Sequence, residues 1–279
     1  MRNNRNAHPG AVACGHPVTA DAARAIREAG GNAFDAAVAA ICAACVADPV
    51  LASLAGGGHL LAHKTDGAAV VYDFFVNTPL RRGEADAIDL YPFQADFGEA
   101  TQEFHIGLGA VATPGVIAGL FDLHRDLGRL PVDRLFEPAV RAARDGVLIN
   151  PFQAYLFQVI APVYVATPGA RASYGVDRAA LPASGQRFRQ PELGDTLEWL
   201  ARKGPGVFYR GELGERLTTE CAANGGQLTH EDLRGYQVIR RVPLALDYRD
   251  SRIYTNPPPS SGGMLIGFAL SLLDCISVA

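Results

Sequence analysis

The feature that most constrains this fold is the run AFDAAVAAICAACVA at residues 33–47, which is small and apolar on nearly every side. A surface helix keeps one polar face, so a helix without such a face is buried on more than one side. Its alanines let neighbouring elements approach closely. Asn32 precedes the run as an N-cap, and Asp35 stands three residues later in a capping-box arrangement. The sequence therefore predicts a layered domain with this helix inside it.

A β-hairpin is predicted directly after this helix. Gly56-Gly57-Gly58 leads into a strand at residues 59–63, and the turn TDG separates it from a second strand at residues 68–75. The second strand ends in two adjacent phenylalanines, Phe74 and Phe75. Neighbours in a strand point to opposite faces, so we expect Phe74 to lie on the face of Tyr72 and Phe75 on the face of Asp73.

The rest of the chain reads as helices with a few strands and no internal repeat. We predict helices at residues 19–29 (capped by Thr19), 115–127, 131–146 (divided by Pro138), 192–203, 211–223, 229–235 and from Met264 onwards. Strands are predicted at 109–113, 237–247 and 252–255, and a polar loop at 81–107. Residues 150–190 give no clear pattern. We expect one α+β domain over residues 1–279, incomplete at its C-terminal end, where an apolar helix needs a partner surface.

Charge and hydropathy exclude several classes of function. The net charge is −4 and no basic run occurs, so the chain lacks the footprint of a nucleic-acid-binding protein. No secretory signal or membrane-spanning run is found, and we expect a soluble cytoplasmic protein without membrane association. Cys42 and Cys45 form a CxxC in mid-helix, whereas redox CxxC motifs start helices. They are interpreted as buried structural thiols.

Three local patterns suggest chemistry without establishing it. GLGAVA at residues 107–112 partly matches a dinucleotide fingerprint, but no clear strand leads into it. His59 and His63 share one strand face but stand too far apart for one metal ion. Residues 260–263, SSGG, follow a polyproline run and precede a helix. They form either an N-cap after a stiff turn or a site where backbone N–H groups bind an anion or oxyanion.

Four stretches together resemble the γ-glutamyltranspeptidase family of N-terminal-nucleophile hydrolases. They are AGGNAFDAAVAA (29–40), ADPVLASLAGGGHLL (47–61), VATPGVIAGLFDLHRDLGRLP (111–131) with EPAVRAARDG (137–146), and FYRGELGERL with GGQLTHEDLRGYQV (208–238) running into NPPPSSGG (256–263). They occur in family order across nearly the whole chain. The resemblance implies an αββα sandwich and an autoprocessed precursor.

In such a precursor, the new N-terminal Thr of the small subunit is the nucleophile, and its own amino group is the base. The resemblance makes this chain the large subunit, with the nucleophilic Thr beyond Ala279 and no catalytic residue within it. It implies a small subunit from the same precursor as partner, a small-molecule amide as substrate, and neither cofactor nor metal. We therefore expect residues 1–279 alone to be inert.

One departure from the family pattern bears on the substrate. The family motif D-G-R-E-T-A-P uses its Arg to hold the glutamyl α-carboxylate, and the aligned residue here is Phe75. A phenyl ring cannot form that bidentate contact, so glutathione is a doubtful substrate and a simpler acyl amide fits better. Arg81 or Arg82 could return a cation from the next loop, or could be exposed charges. The predicted substrate-binding residues are Phe75, Asn77, Arg81, Ser260, Ser261, Gly262 and Gly263.

Two other functions stay open at this stage. One is a truncated, catalytically inactive homologue that serves as a binding or scaffold subunit. The other is an oxidoreductase that uses the partial dinucleotide fingerprint. A second chain that begins with Thr would favour the amide hydrolase or acyltransferase, and bound nucleotide would favour the oxidoreductase.

Overall fold

The computed structural model describes residues 10–175 and 181–274, so the predicted features at Cys275 and Ala279 lie outside the described residues. The helices are α1 Pro17–Glu28, α2 Ala33–Ala47, α3 Val116–Leu127, α4 Val132–Asp145, α5 Pro151–Val159, α6 Ala161–Val165, α7 Pro168–Ser173, α8 Pro191–Lys203, α9 Gly206–Tyr209, α10 Glu212–Ala223, α11 His230–Gly235 and α12 Ser261–Asp274. The strands are β1 His59–His63, β2 Ala69–Asp73, β3 Tyr91–Asp96, β4 Thr101–Ile106, β5 Val147–Leu148, β6 Arg187–Phe188, β7 Ile239–Arg241, β8 Leu244–Tyr248 and β9 Ser251–Thr255. This mixture confirms the predicted α+β class.

Helix α2 lies in the middle of the core, as its composition predicts. It packs against α1, α3 and α4, and Val38, Ala39 and Cys42 are fully buried. The predicted capping box is present: the Asn32 side chain accepts from the backbone of Asp35, whose carboxylate accepts from the Asn32 amide. Small side chains on every face thus allow close packing on several sides.

The predicted hairpin is confirmed as β1 and β2, which pair antiparallel with His59 opposite Asp73. A third strand, β7, pairs antiparallel with β2 on its other side, with Asp73 opposite Ile239. The sheet order is therefore β1-β2-β7. Tyr72 and Phe74 extend from this sheet region into the same core as α2 and α3.

Helix α4 is continuous through Pro138, so the prediction of two short helices is wrong. Leu135, Phe136 and Ala139 on the two sides of Pro138 are buried, and α4 packs against α2 and α8. Tertiary packing therefore outweighs the loss of one backbone hydrogen bond at proline.

One helix start and one strand also differ from the sequence predictions. Helix α1 is capped by His16, whose ring nitrogen accepts from the Val18 amide at 3.1 Å, and not by Thr19. Residues 109–113 form no strand; Leu108–Ala110 is a 3₁₀ turn and Thr113 makes only an isolated bridge to Asn77. The local hydrophobic pattern was too short to fix either element.

The polar segment 81–107 is not a loop throughout, because it contains the hairpin of β3 and β4. Phe93 and Phe104 face each other across it, with ring centroids 5.8 Å apart. Only Ala95 of this hairpin is fully buried. Strands this exposed lack the apolar alternation that reveals a strand in a sequence.

The single strand predicted at residues 237–247 is two strands in the structure. Residues 237–247 give β7 and the start of β8, with Pro243, which has no N–H to donate, between them. Strands β8 and β9 form a hairpin, and α12 packs on it through Gly267. Between residues 150 and 188, a separate small core gathers Phe157, Tyr164, Tyr174 and Phe188.

Candidate functional site

The glycine turn Gly56-Gly57-Gly58 is held tightly against the end of β2. The Gly58 amide donates to the Phe74 carbonyl at 3.2 Å, and the Phe74 amide donates back to the Gly58 carbonyl at 3.0 Å. A Cβ on Gly57 would overlap the Val76 amide. Because no side chain fits there, the glycine allows the backbone of this turn to pack directly against the backbone at the end of β2.

A cleft of about 460 Å³ opens beside this turn. It is lined mainly by apolar side chains and backbone, from Ile41, Cys45, Pro49, Val50, Leu51, Ala52, Ser53, Gly56, Gly57, Gly58, His59, Phe74 and Val116. A neighbouring cleft of about 380 Å³ shares Cys45, Pro49, Ala52 and Ser53 with it. The two clefts thus meet along residues 49–53, a segment that also carries part of the family resemblance.

The paired phenylalanines have opposite surroundings, as strand alternation predicts. Phe74 is 4% exposed and fills the space above Gly119, where a Cβ would overlap its ring. Phe75 is 55% exposed and stacks on His59, with ring centroids 5.7 Å apart and planes 21° apart. Phe75 therefore borders the cleft through a residue that lines it.

Beneath this stacked pair lies a buried charge cluster. Asp73 Oδ2 accepts from Arg241 Nε at 2.7 Å, and Asp73 Oδ1 lies 3.3 Å from His59 Nε2. Burial tends to raise the pKa of Asp73, but the Arg241 hydrogen bond, the Phe75 amide and His59 outweigh it and hold that pKa below its usual value. Asp73 is therefore an anion that fixes the end of β2.

Tyr236 fixes the backbone at Phe75 from the other side. Its hydroxyl donates to the Phe75 carbonyl at 2.8 Å, and its ring stacks on Tyr209 at 5.7 Å. Burial and the nearby Asp73 raise the pKa of Tyr236, so its hydroxyl stays a donor. Neither this role of Tyr236 nor the cleft position of His59 was found by sequence reasoning. The place of His59 directly after the glycine turn was an available signal, whereas Tyr236 gave none.

Asn77 and Arg81 lie on the segment that leads away from Phe75. Asn77 is exposed and exchanges two backbone hydrogen bonds with Thr113, at 2.8 and 3.2 Å. Arg81 is exposed and pairs with Glu231 at 2.9 Å. Neither Asn77 nor Arg81 is among the residues that line the two clefts.

Ser260, Ser261, Gly262 and Gly263 lie at the start of α12. Ser261 and Gly262 are exposed, whereas Gly263 is buried against the Asn256 carbonyl with no room for a Cβ. Within residues 10–175 and 181–274, no hydrogen bond, ion pair or ring contact joins these four residues to Phe75, Asn77 or Arg81. The predicted substrate-binding residues therefore form two groups, one at residues 75–81 and one at residues 260–263, without such a contact between them.

Other predicted chemistry is absent from this geometry. Residues 107–112 form a turn, and α3 begins only at Val116, so no helix start follows the glycines as a dinucleotide fingerprint requires. Cys42 and Cys45 are buried as predicted, and burial raises the pKa of Cys42 and raises that of Cys45 to about 12, which favours the protonated thiol at both positions. In the described parts of the chain, no cluster of His, Cys, Asp or Glu is arranged to hold a metal, and no helix is long and apolar enough to cross a bilayer.

Comparison with known proteins gives a consistent family. The gamma-glutamyltranspeptidase family model matches residues 19–278. The chain is 34% identical over 270 residues to the acylase ACY 1 proenzyme of Pseudomonas sp. (strain V22), which covers 95% of this chain and 48% of that protein. It is 30% identical over 269 residues to glutathione hydrolase 3 of Arabidopsis thaliana, and this alignment covers 96% of this chain and 40% of that protein. The chain thus spans less than half the length of these relatives.

The structural comparison agrees with the sequence comparison. The crystal structure of Helicobacter pylori gamma-glutamyltranspeptidase superposes with a TM-score of 0.86 at 27% identity, over 99% of this chain and 77% of that one. This match confirms the N-terminal-nucleophile hydrolase fold that the sequence resemblance implied. The chain belongs to the gamma-glutamyltranspeptidase family.

Proposed function

We propose that this chain is the large-subunit part of an autoprocessed amide hydrolase or acyltransferase that prefers simple acyl amides to γ-glutamyl substrates. The reaction forms an acyl-enzyme on a Thr beyond Ala279, which attacks with its own amino group as base. Water then releases the acid, or an amine takes the acyl group. One observation supports processing: an acylase and a glutathione hydrolase among the relatives both carry the name proenzyme.

The observation that carries the substrate preference is Phe75. Its ring is exposed beside the cleft and packed on His59, where the family motif has an Arg for the glutamyl α-carboxylate. Loss of such a charge-assisted contact weakens binding by about 1.5–3 kcal/mol. Arg241 does not replace it, because this guanidinium is already bound to Asp73. The position therefore favours an acyl group that lacks the α-carboxylate.

The other predicted substrate-binding residues have different support. Arg81 is bound to Glu231 at the surface, which favours its interpretation as an exposed charge. Ser261, Gly262 and Gly263 begin a 14-residue helix and Ser260 directly precedes it, and free N–H groups at the start of a helix attract anions. We assign these four residues to the part of the substrate site that the small subunit completes, and Asn77 to the backbone support of Phe75.

The exposed surface of α12 supports the proposal that a second subunit binds this chain. Six large apolar side chains of this helix are exposed: Met264, Leu265, Ile266, Phe268, Leu272 and Leu273. An apolar patch of this size on a described surface marks an interaction site. We assign it to the small subunit from the same precursor. Residues 1–279 then form one large-subunit domain that depends on its partner.

The test uses the complete precursor after processing. Hydrolysis of a γ-glutamyl anilide is compared with that of simple acyl anilides of equal chain length, in the wild type and in Phe75→Arg. We expect the wild type to prefer the simple acyl anilides, and Phe75→Arg to raise kcat/KM for the γ-glutamyl anilide about 10-fold or more, which is 1.4 kcal/mol. Phe152→Arg, an exposed Phe on α5, is the matched control.

Several results would contradict this proposal. A wild type that prefers the γ-glutamyl anilide would remove the substrate assignment, and turnover by residues 1–279 alone would remove the assignment of the nucleophile. A precursor that yields no chain beginning with Thr and cleaves no amide would instead favour the inactive binding or scaffold homologue.

A further inference from the structure

The cleft beside the glycine turn contains one basic side chain among its lining residues, His59. The other ionisable lining group is Cys45, whose thiol is kept protonated by burial. We infer that His59 is a specificity-determining residue, and that it binds a polar substituent on an otherwise apolar acyl chain. This inference rests on the proposed function and names the class of acyl group within it.

Asp73 lies against one nitrogen of His59, with Asp73 Oδ1 3.3 Å from His59 Nε2. An ionised carboxylate only accepts hydrogen bonds, so this contact favours the tautomer that carries its hydrogen on Nε2. Asp73 is 7% exposed and is bound by Arg241, so it cannot turn away to solvent. A carboxylate that holds one imidazole nitrogen leaves the other nitrogen for a ligand.

The Nδ1 atom is the free nitrogen. No hydrogen bond of the described residues involves it, and the His59 side chain keeps 16% of its surface accessible at the cleft. A histidine buried only for packing would have both nitrogens satisfied by the protein. Here Nε2 lies next to the Asp73 carboxylate, and His59 is one of the residues that line the cleft. In its neutral form Nδ1 accepts a hydrogen bond, and in its protonated form it donates one.

The surroundings of His59 determine what the rest of the acyl chain is. Ile41, Leu51, Ala52 and Val116 line the same cleft and offer no polar side-chain atoms. Phe75 covers the outer face of the imidazole in a nearly parallel stack and keeps water from that face. An acyl chain in this cleft therefore meets mostly apolar walls, and the polar side-chain groups there are the Ser53 hydroxyl, which accepts from the Ala55 amide at 3.0 Å, the Cys45 thiol and the His59 imidazole. The chemical class that fits is an aliphatic acyl group with a single hydroxyl or carboxylate substituent.

The experiment uses the processed full-length enzyme and three anilides of equal acyl length, which end in a methyl, a hydroxyl or a carboxylate group. We expect kcat/KM for at least one polar substrate to exceed that for the methyl substrate about 10-fold, mainly through KM. His59→Phe keeps a ring to stack on Phe75 but has no ring nitrogen, and we expect the polar preference to fall at least fivefold. His59→Gln, which keeps a donor for Asp73, should retain part of the preference.

The matched control is His63→Phe at the other end of β1. His63 packs against Tyr254 in a tilted arrangement with centroids 5.5 Å apart and is not among the residues that line the cleft, so its loss should leave the preference unchanged. Binding of the three anilides is also measured by calorimetry, which gives the same comparison without turnover. Equal binding of all three by the wild type, or an equal loss for all three in His59→Phe, would overturn the inference. A wild type that hydrolyses the methyl substrate without discrimination contradicts this inference alone, whereas absence of all hydrolysis contradicts the proposed function.

Discussion

Two chemically identical side chains, Phe74 and Phe75, differ only in the direction in which the backbone points them. Phe74 packs where Gly58 and Gly119 leave room for its ring, and Phe75 is half exposed over His59. The buried position of the Phe74 ring therefore depends on glycine at positions 58 and 119. The absence of a side chain at these two glycines determines where the Phe74 ring lies.

Gly119→Ala tests this contact. The added Cβ would overlap the Phe74 ring, and overpacking of a tight core typically costs about 1–3 kcal/mol. We expect a loss of this size in the free energy of unfolding, measured by urea titration with circular dichroism. Gly235→Ala is the control, because a Cβ there meets nothing within 4 Å. Equal stability of the two variants would contradict the tight contact.

The direction of Phe74 and Phe75 could be predicted from strand alternation, whereas the assignment of Phe75 to the Arg position of the family motif stays a prediction. The cleft position of His59 had one signal in the sequence, its place directly after the glycine turn, but the position itself depends on how that turn folds back on β2. Tyr236 is further from prediction still. It lies 161 residues from Phe75 in sequence, and only the folded chain brings its hydroxyl to that carbonyl.

Among the elements, α2 and α5 begin with the same device, an Asn capping box. They differ in what else the capping residue does. Asn32 accepts from two backbone amides and also donates to the Leu127 carbonyl at the end of α3, at 2.7 Å. Asn150 accepts from the Gln153 amide alone. The first cap thus joins two helices, whereas the second closes one.

Asn32→Ala and Asn150→Ala form a matched pair that measures this difference. Loss of a cap costs about 0.5–2 kcal/mol. Asn32→Ala also leaves the Leu127 carbonyl without its partner, which adds on the order of 1 kcal/mol. We expect Asn32→Ala to lower the free energy of unfolding by more than Asn150→Ala does, as measured by urea titration. A larger loss for Asn150→Ala would contradict the helix-joining role.

The elements that the sequence predicted well are those with strong local signals. Helix α2 and the hairpin of β1 and β2 have caps, turns and periodicity that agree with their packing. Helix α4 and the hairpin of β3 and β4 were mispredicted for opposite reasons. Helix α4 stays continuous at Pro138 because it is buried against two other helices. Strands β3 and β4 are too exposed to show an apolar pattern in the sequence.

For the whole molecule, the important surface is the apolar side of α12. Phe268 is 65% exposed and stands among five other exposed apolar side chains of this helix. A face of this kind in water favours association with another apolar surface. The family relationship and the proposed function make the small subunit its partner.

Phe268→Glu in the complete precursor tests this assignment. A carboxylate placed at the centre of an apolar interface is left without a partner there, which weakens association. We expect less of the two-subunit complex by size-exclusion chromatography and native mass spectrometry. Phe152→Glu, at a Phe that is 58% exposed on α5, is the control and should assemble normally. Normal assembly of Phe268→Glu would place the small subunit elsewhere.

The pairing of β2 with β7 also has a consequence for synthesis of the chain. Arg241 follows Asp73 by 168 residues, so at about 5–20 residues per second the ribosome needs on the order of 10–30 s to supply it. During that interval β2 has an open edge and Asp73 lacks its counter-ion, a state prone to wrong strand pairing. A premature stop codon anywhere before residue 241 therefore leaves β2 without its second neighbouring strand and Asp73 without Arg241, although every residue of the glycine turn has been made.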